Sequence, residues 1–127
     1  MKVDTERIKK MNIEEINVTA TDNELYIIAS TNNGSSEICH IKSGYDKEVN
    51  YTLYPRAILS PGKYDLTIIG INWGAEFKFK LTITYKDNDT VNTVPFEWSS
   101  DDVESEEEKV EIGVVWRKRL QVNIVAM

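Results

Sequence analysis

Apolar and polar residues alternate with a period of two along most of this chain. In the clearest run, Phe77, Phe79, Leu81, Ile83 and Tyr85 share one parity, and Lys78, Lys80, Thr82 and Thr84 share the other. A helix would scatter such residues around its circumference, whereas a strand sets them on opposite faces. The run therefore predicts an antiparallel strand with one buried and one wet face. Upstream, Tyr64, Leu66 and Ile68 alternate with Asp65 and Thr67, behind the turn signal Ser60-Pro61-Gly62. With Asn72-Trp73-Gly74-Ala75 as the connection, these two segments read as a hairpin.

Further strands are predicted over residues 16–20, 25–30, 36–42 and 49–54. The separators at 21–23 and 31–35 are rich in Asn, Asp, Ser and Gly, which tolerate positive φ or bond their own backbone in turns. Residues 90–98 also read as a strand. Pro95 within it lacks a ladder donor, so that strand lies at a sheet edge or ends there. Near the C-terminus, Val110, Ile112, Val114 and Trp116 share parity with Leu120, Val122 and Ile124, interrupted by Lys118. One strand of that length would span roughly 50 Å at ~3.3 Å per residue, long for a compact domain. The pattern therefore predicts a hairpin with a three-residue turn at Arg117, Lys118 and Arg119.

The first fifteen residues break the pattern. Ile8 and Met11 sit three apart among charges, which predicts either a short helix after Asp4 or Thr5, or a mobile arm. The whole reads as one all-β domain over residues 1–127, an antiparallel β-sandwich of about nine short strands. At 127 residues and 41% hydrophobic, the chain is long enough to bury a core without disulfides. Its lone Cys39 could not form one internally.

Charge narrows the partners. A net charge of −6 argues against nucleic acid, whose binding needs a concentrated basic patch, and the basic run 117–119 follows a strongly acidic segment. No stretch approaches the ~20 apolar residues of a membrane span. No apolar segment follows the N-terminal charges, so the expected location is cytoplasmic, or release without a recognisable signal peptide. Sequons at Asn17, Asn33, Asn50 and Asn88 fit an Asn- and Thr-rich β protein.

Catalytic and metal-binding signatures are sparse. Cys39 and the only histidine, His40, are neighbours in a predicted strand and would point to opposite faces. Neither a nucleophile–base pair nor a zinc site follows, and no enzyme activity, cofactor or metal is expected. The acidic run Asp101, Asp102, Glu104, Glu106, Glu107 and Glu108 carries oxygen ligands suited to calcium but lacks the glycine turn of known loops. It reads as a solvated acidic loop, or as a docking surface for a basic protein. Trp98, Trp116, Tyr64 and Tyr85 fall on apolar strand faces and read as core. Trp73 sits in a tight turn, Tyr45 follows Ser43-Gly44, and Tyr54 precedes Pro55. Such loop aromatics either cap the core or present rigid amphipathic rings to a ligand.

A set of turn motifs adds a resemblance. Asn32-Asn33-Gly34 is followed by Ser60-Pro61-Gly62-Lys63, by Gly70 and Gly74, and by a strand ending in Thr84-Tyr85. The turn Asp87-Asn88-Asp89 then leads into Val94-Pro95-Phe96-Glu97. Over about residues 25–98 this order resembles the actinoporin and aegerolysin type of cytolysin β-sandwich, where a "PGK" turn and a later "VPF"-like element flank the central hairpin. The resemblance implies recognition of lipid head groups or glycans through aromatic loops, with Trp73, Phe96 and Trp98 nearest the rim. The chain departs from that pattern where acidic residues 101–108 replace an aromatic-rich segment. Its charged N-terminal arm is also too short for a pore-forming amphipathic helix.

The expectation is thus a non-enzymatic binding domain engaging a membrane lipid head group or carbohydrate through Trp73, Tyr45, Tyr54, Phe96 and Trp98. Two alternatives stand beside it. One is an acidic intracellular interaction module of inhibitor or immunity type that docks a basic partner through residues 101–108. The other is an assembly subunit that pairs its strand edges between copies.

Overall fold

The computed structural model describes residues 2–43 and 48–126, with the backbone only for residues 3–11. The chain is all-β. Its strands are β1 (Lys2–Ala20), β2 (Glu24–Thr31), β3 (Gly34–Lys42), β4 (Glu48–Leu53), β5 (Gly62–Asn72), β6 (Lys78–Asp87), β7 (Thr90–Ser99) and β8 (Gly113–Ile124). Two single-turn helices, α1 (Pro55–Ile58) and α2 (Glu106–Lys109), and a 3-10 turn at Ser100–Asp102 interrupt them.

All eight strands belong to one hydrogen-bonded sheet, ordered β3-β2-β5-β8-β1-β6-β7, with β4 paired to β1. Strand β1 changes partners along its length. Residues from Lys2 run parallel to β8, while Ile16 to Ala20 lie antiparallel between β4 and β6. Strands β5 and β6 have two strands between them in this order, yet their inner faces meet. A Cβ added to Gly70 of β5 would lie 3.0 Å from the Phe79 ring of β6. Phe79 also packs on Trp116 of β8, with ring centroids 6.1 Å apart. The sheet therefore folds its apolar faces toward each other. Leu25, Ile27, Leu66, Ile68, Phe79, Leu81, Ile83, Trp116 and Leu120 are all fully buried there. Each such side chain contributes about 1.5–3 kcal/mol relative to exposure.

Most of the predicted strands stand, with β4 ending at Leu53 and β7 as an edge strand carrying Pro95 opposite Thr82. Four expectations need correction. The N-terminal segment is neither helix nor arm but the first half of β1. Its backbone groups are paired in register with those of β8, a long-range pairing that the i, i+3 spacing of Ile8 and Met11 does not reveal. Strands β5 and β6 do not form a hairpin: β5 lies between β2 and β8, and β6 lies between β1 and β7. Alternation reports which face of a strand is buried and says nothing about its neighbour.

The C-terminal hairpin is in fact the single strand β8, twelve residues long. It starts at Gly113 rather than Val110, and a register shift opposite Gly70 and Ile71 leaves Val115 as an extra residue. That bulge switches parity, so Val114 is exposed while Val115 and Trp116 are buried; Val110 and Ile112, which precede the strand, are exposed as well. Lys118 then falls on the inner face, 4% exposed, with its Nζ 4.4 Å from the centroid of the Phe96 ring. With these two ribbons merged or extended, the described strands number eight rather than about nine.

Candidate functional site

Outward-facing side chains of β2 and β3, together with Trp73 just beyond β5, build the most organised polar–aromatic cluster among the described residues. The inward set on β2, Leu25, Ile27 and Ala29, is buried, so Glu24 and Tyr26 face outward by parity. Register sets Glu24 opposite Lys42 and Tyr26 opposite His40 on β3, and Glu24 opposite Ile71 on β5. Trp73 follows two residues after Ile71, on the same side.

The Glu24 carboxylate is the hub. Its Oε1 lies 2.9 Å from His40 Nε2 and accepts from Tyr26 Oη at 3.4 Å, while its Oε2 accepts the Trp73 indole N–H at 3.0 Å. The Tyr26 and His40 rings stack at 4.0 Å with an interplanar angle of 10°. Lys42 Nζ stands 4.8 Å from the centroid of the Trp73 ring, within reach of a cation–π attraction. The hydrogen bond from His40 holds the Glu24 carboxyl below its ordinary range against the opposing push of burial, helped by the Trp73 bond and by charge from His40 and Lys42. The Tyr26 phenol is shifted upward by burial and then by the Glu24 charge.

Backbone contacts fix the base of the cluster. Asn23 Oδ1 accepts the Trp73 backbone N–H at 2.8 Å, Asn23 N–H donates to Ile71 O at 2.8 Å, and Ser43 N–H donates to Asn23 O at 2.7 Å. Trp73 thus combines 49% exposure with a position held from its backbone, its indole nitrogen and one ring face. Such a ring is preorganised for contact.

The other sequence-predicted residues are not gathered around it. Tyr54 is exposed at the far end of β4, beside α1. Glu48 at the near end pairs with Ala20, and Leu53 pairs with Ile16, so Tyr54 and Trp73 sit at opposite ends of that run. Tyr45 lies outside the described residues. Phe96 is 5% exposed and carries Lys118 on its ring, so it belongs to the core rather than to a rim. Trp98 is half-buried against the core, with Lys2 Nζ 4.9 Å from its ring centroid.

The acidic run is exposed and contains two short capped turns. Ser99 and Asp102 form a capping box, in which Ser99 N–H donates to Asp102 Oδ2 at 3.1 Å. Ser105 caps α2, whose Lys109 pairs with Glu106 at 3.1 Å. Asp101, Glu104, Glu106, Glu107 and Glu108 remain exposed. Among the described residues no group of three or more His, Cys, Asp or Glu is placed to hold a metal ion. Cys39 is buried and His40 exposed, on opposite faces of β3.

Sequence reasoning singled out Trp73 but missed Glu24, Tyr26, His40 and Lys42. Their parity on the wet faces of β2 and β3 was legible. That β2 and β3 bring them together beside Trp73 depends on register, which no motif announces. Among the described residues, no helix is long and apolar enough to cross a membrane. Compared with known proteins, the chain matches no family model, no curated protein and no solved structure.

Proposed function

We propose that this all-β chain is a non-enzymatic binding domain that recognises a carbohydrate or a lipid head group, with Trp73 as its principal contact. The observation that carries this reading is the half-exposed Trp73 ring, fixed by Glu24 and flanked by Lys42. An exposed indole costs little conformational entropy to dock and offers a flat apolar face for sugar C–H groups or for a membrane interface. Neighbouring Lys42, His40 and Tyr26 supply polar atoms to orient such a ligand.

The test is Trp73→Ala, assayed on a glycan array and on phosphatidylcholine vesicles beside the unaltered protein. Loss of binding with thermal unfolding nearly unchanged supports the reading. Binding that persists removes Trp73 from the site.

A second reading, docking of a basic protein, is favoured by the exposed carboxylates of Glu106, Glu107 and Glu108 on the capped turn α2, with exposed Glu104 just before it. It predicts an association that weakens steeply with added salt.

A further inference from the structure

The outer face that bears Trp73 does not end with the Glu24 cluster. Register carries it down β2, β5 and β8 in rows. Lys42, Glu24, Ile71 and Val114 stand side by side, then His40, Tyr26, Ile69 and Arg117. Further down, Ser35, Ser30, Asp65 and Gln121 form a row, followed by the pair Lys63 and Asn123. The rows near Trp73 therefore mix aromatic and aliphatic side chains with charged ones, while those at the other end carry only polar side chains.

At that polar end lies an open cleft of about 990 Å³, whose lining includes Asn32, Asn33, Lys63, Asp65, Arg119 and Gln121. Asp65 is bonded to Arg119, and Ser30 to Ser35. Among the described residues, Lys63, Gln121 and Asn123 make no side-chain hydrogen bond within the protein, so their donors and acceptors are open to a ligand. Amides, an ammonium and a paired carboxylate and guanidinium make up a donor–acceptor set suited to hydroxyl groups. Asp65 and Trp73 are eight residues apart along β5 and its exit, roughly 26 Å at ~3.3 Å per residue.

We infer that this cleft is a second subsite for the same ligand, and that the ligand is a linear sugar chain lying along β5 from the cleft to Trp73. The inference rests on the carbohydrate form of the reading above and narrows it. A lipid head group is too short to reach both ends. A chain of pyranose units offers C–H faces to Trp73 and Ile71 and hydroxyls to Lys63, Asp65 and Gln121. Occupying both ends makes the second contact intramolecular, so affinity grows with chain length until the span is covered.

The test is calorimetric titration of the full chain with β-1,4-linked gluco-oligosaccharides and with oligogalacturonates, each from one to eight units, using the unaltered protein, Gln121→Ala and Trp73→Ala. Affinity is expected to rise with length and then level off. Gln121→Ala is expected to weaken the eight-unit ligand about tenfold, the scale of one lost hydrogen bond, and to leave the shortest bound ligand unchanged. Trp73→Ala weakens every length. A length-independent affinity, or no effect of Gln121→Ala on the longest ligand while Trp73→Ala still acts, overturns the second subsite and leaves the Trp73 reading standing. No binding in either ladder, with Trp73-dependent binding to phosphatidylcholine vesicles, rejects the sugar chain in favour of a lipid head group. No binding to any of these probes rejects both the inference and the reading beneath it.

Discussion

Trp73 donates its indole N–H to Glu24 Oε2 at 3.0 Å, and the same carboxylate holds His40 through its other oxygen at 2.9 Å. The exposed ring is therefore positioned by a group on another strand, which is itself tied to a third. Glu24→Gln keeps the side chain's length and removes the charge that both donors favour. The Trp73 indole N–H resonance is expected to move upfield toward its free position, and ligand affinity to fall several-fold with the fold intact. An unchanged indole resonance in Glu24→Gln would show that Trp73 is positioned by its backbone alone.

The same cluster sets a pH dependence. Because His40 first, and then Trp73 and the nearby charges, hold the folded Glu24 carboxyl below its unfolded value near 4.5, the ionised form is the one the fold favours. Its stabilisation is complete above about 4.5 and is lost as the pH falls through the folded value. Thermal unfolding of the protein and of Glu24→Gln, measured from pH 7 down to pH 3, should show a difference that shrinks with acidification. A gap that stays constant across that range contradicts the assignment.

How much of this was legible in the residues depends on what each pattern encodes. Phe77, Phe79, Leu81 and Ile83 announced both strand and buried face, and all four are buried. Their parity could not say that β6 pairs with β1 and β7 instead of β5, because side-chain alternation is the same whichever strand lies alongside. The bulge at Val115 was hidden for a related reason: one added residue reverses the parity of Val114 relative to Trp116, and Gly113, which opens the strand, does not say where the extra residue falls. For the candidate site, Trp73 stood out as an aromatic in a tight turn. Glu24 and His40 looked like ordinary wet-face residues sixteen positions apart, and only the β2–β3 register makes them partners.

Cys39 offers a probe of the edge strand β3. Burial, reinforced by the Glu37 charge, pushes its thiol up to about 11, so almost no thiolate exists in the fold at pH 8. Alkylation by iodoacetamide at pH 8 is expected to be slow in the native protein and fast in urea. Since the folded value lies above the ordinary 9.0, the fold favours the protonated thiol, and stability declines as pH rises from about 9 toward about 11. Rapid native-state alkylation would mean that β3 opens locally.

The close approach of Gly70 to Phe79 ties the two facing parts of the sheet together. A Cβ at position 70 would meet three atoms of the Phe79 ring at 3.0–3.1 Å, closer than most such contacts, so the ring would have to give by a few tenths of an ångström. Phe79 is itself fully buried and packed against Trp116, so its ring has little room to retreat. Gly70→Ala should therefore cost about 1–3 kcal/mol, the range for forcing an extra carbon into a filled core. Phe79→Leu alone also destabilises, by removing buried ring volume. Combined, the two should cost less than their sum, because the smaller side chain makes room for the added methyl. Urea unfolding of the two single variants and the double variant measures this coupling. Strict additivity would mean that β5 and β6 do not meet at these two residues.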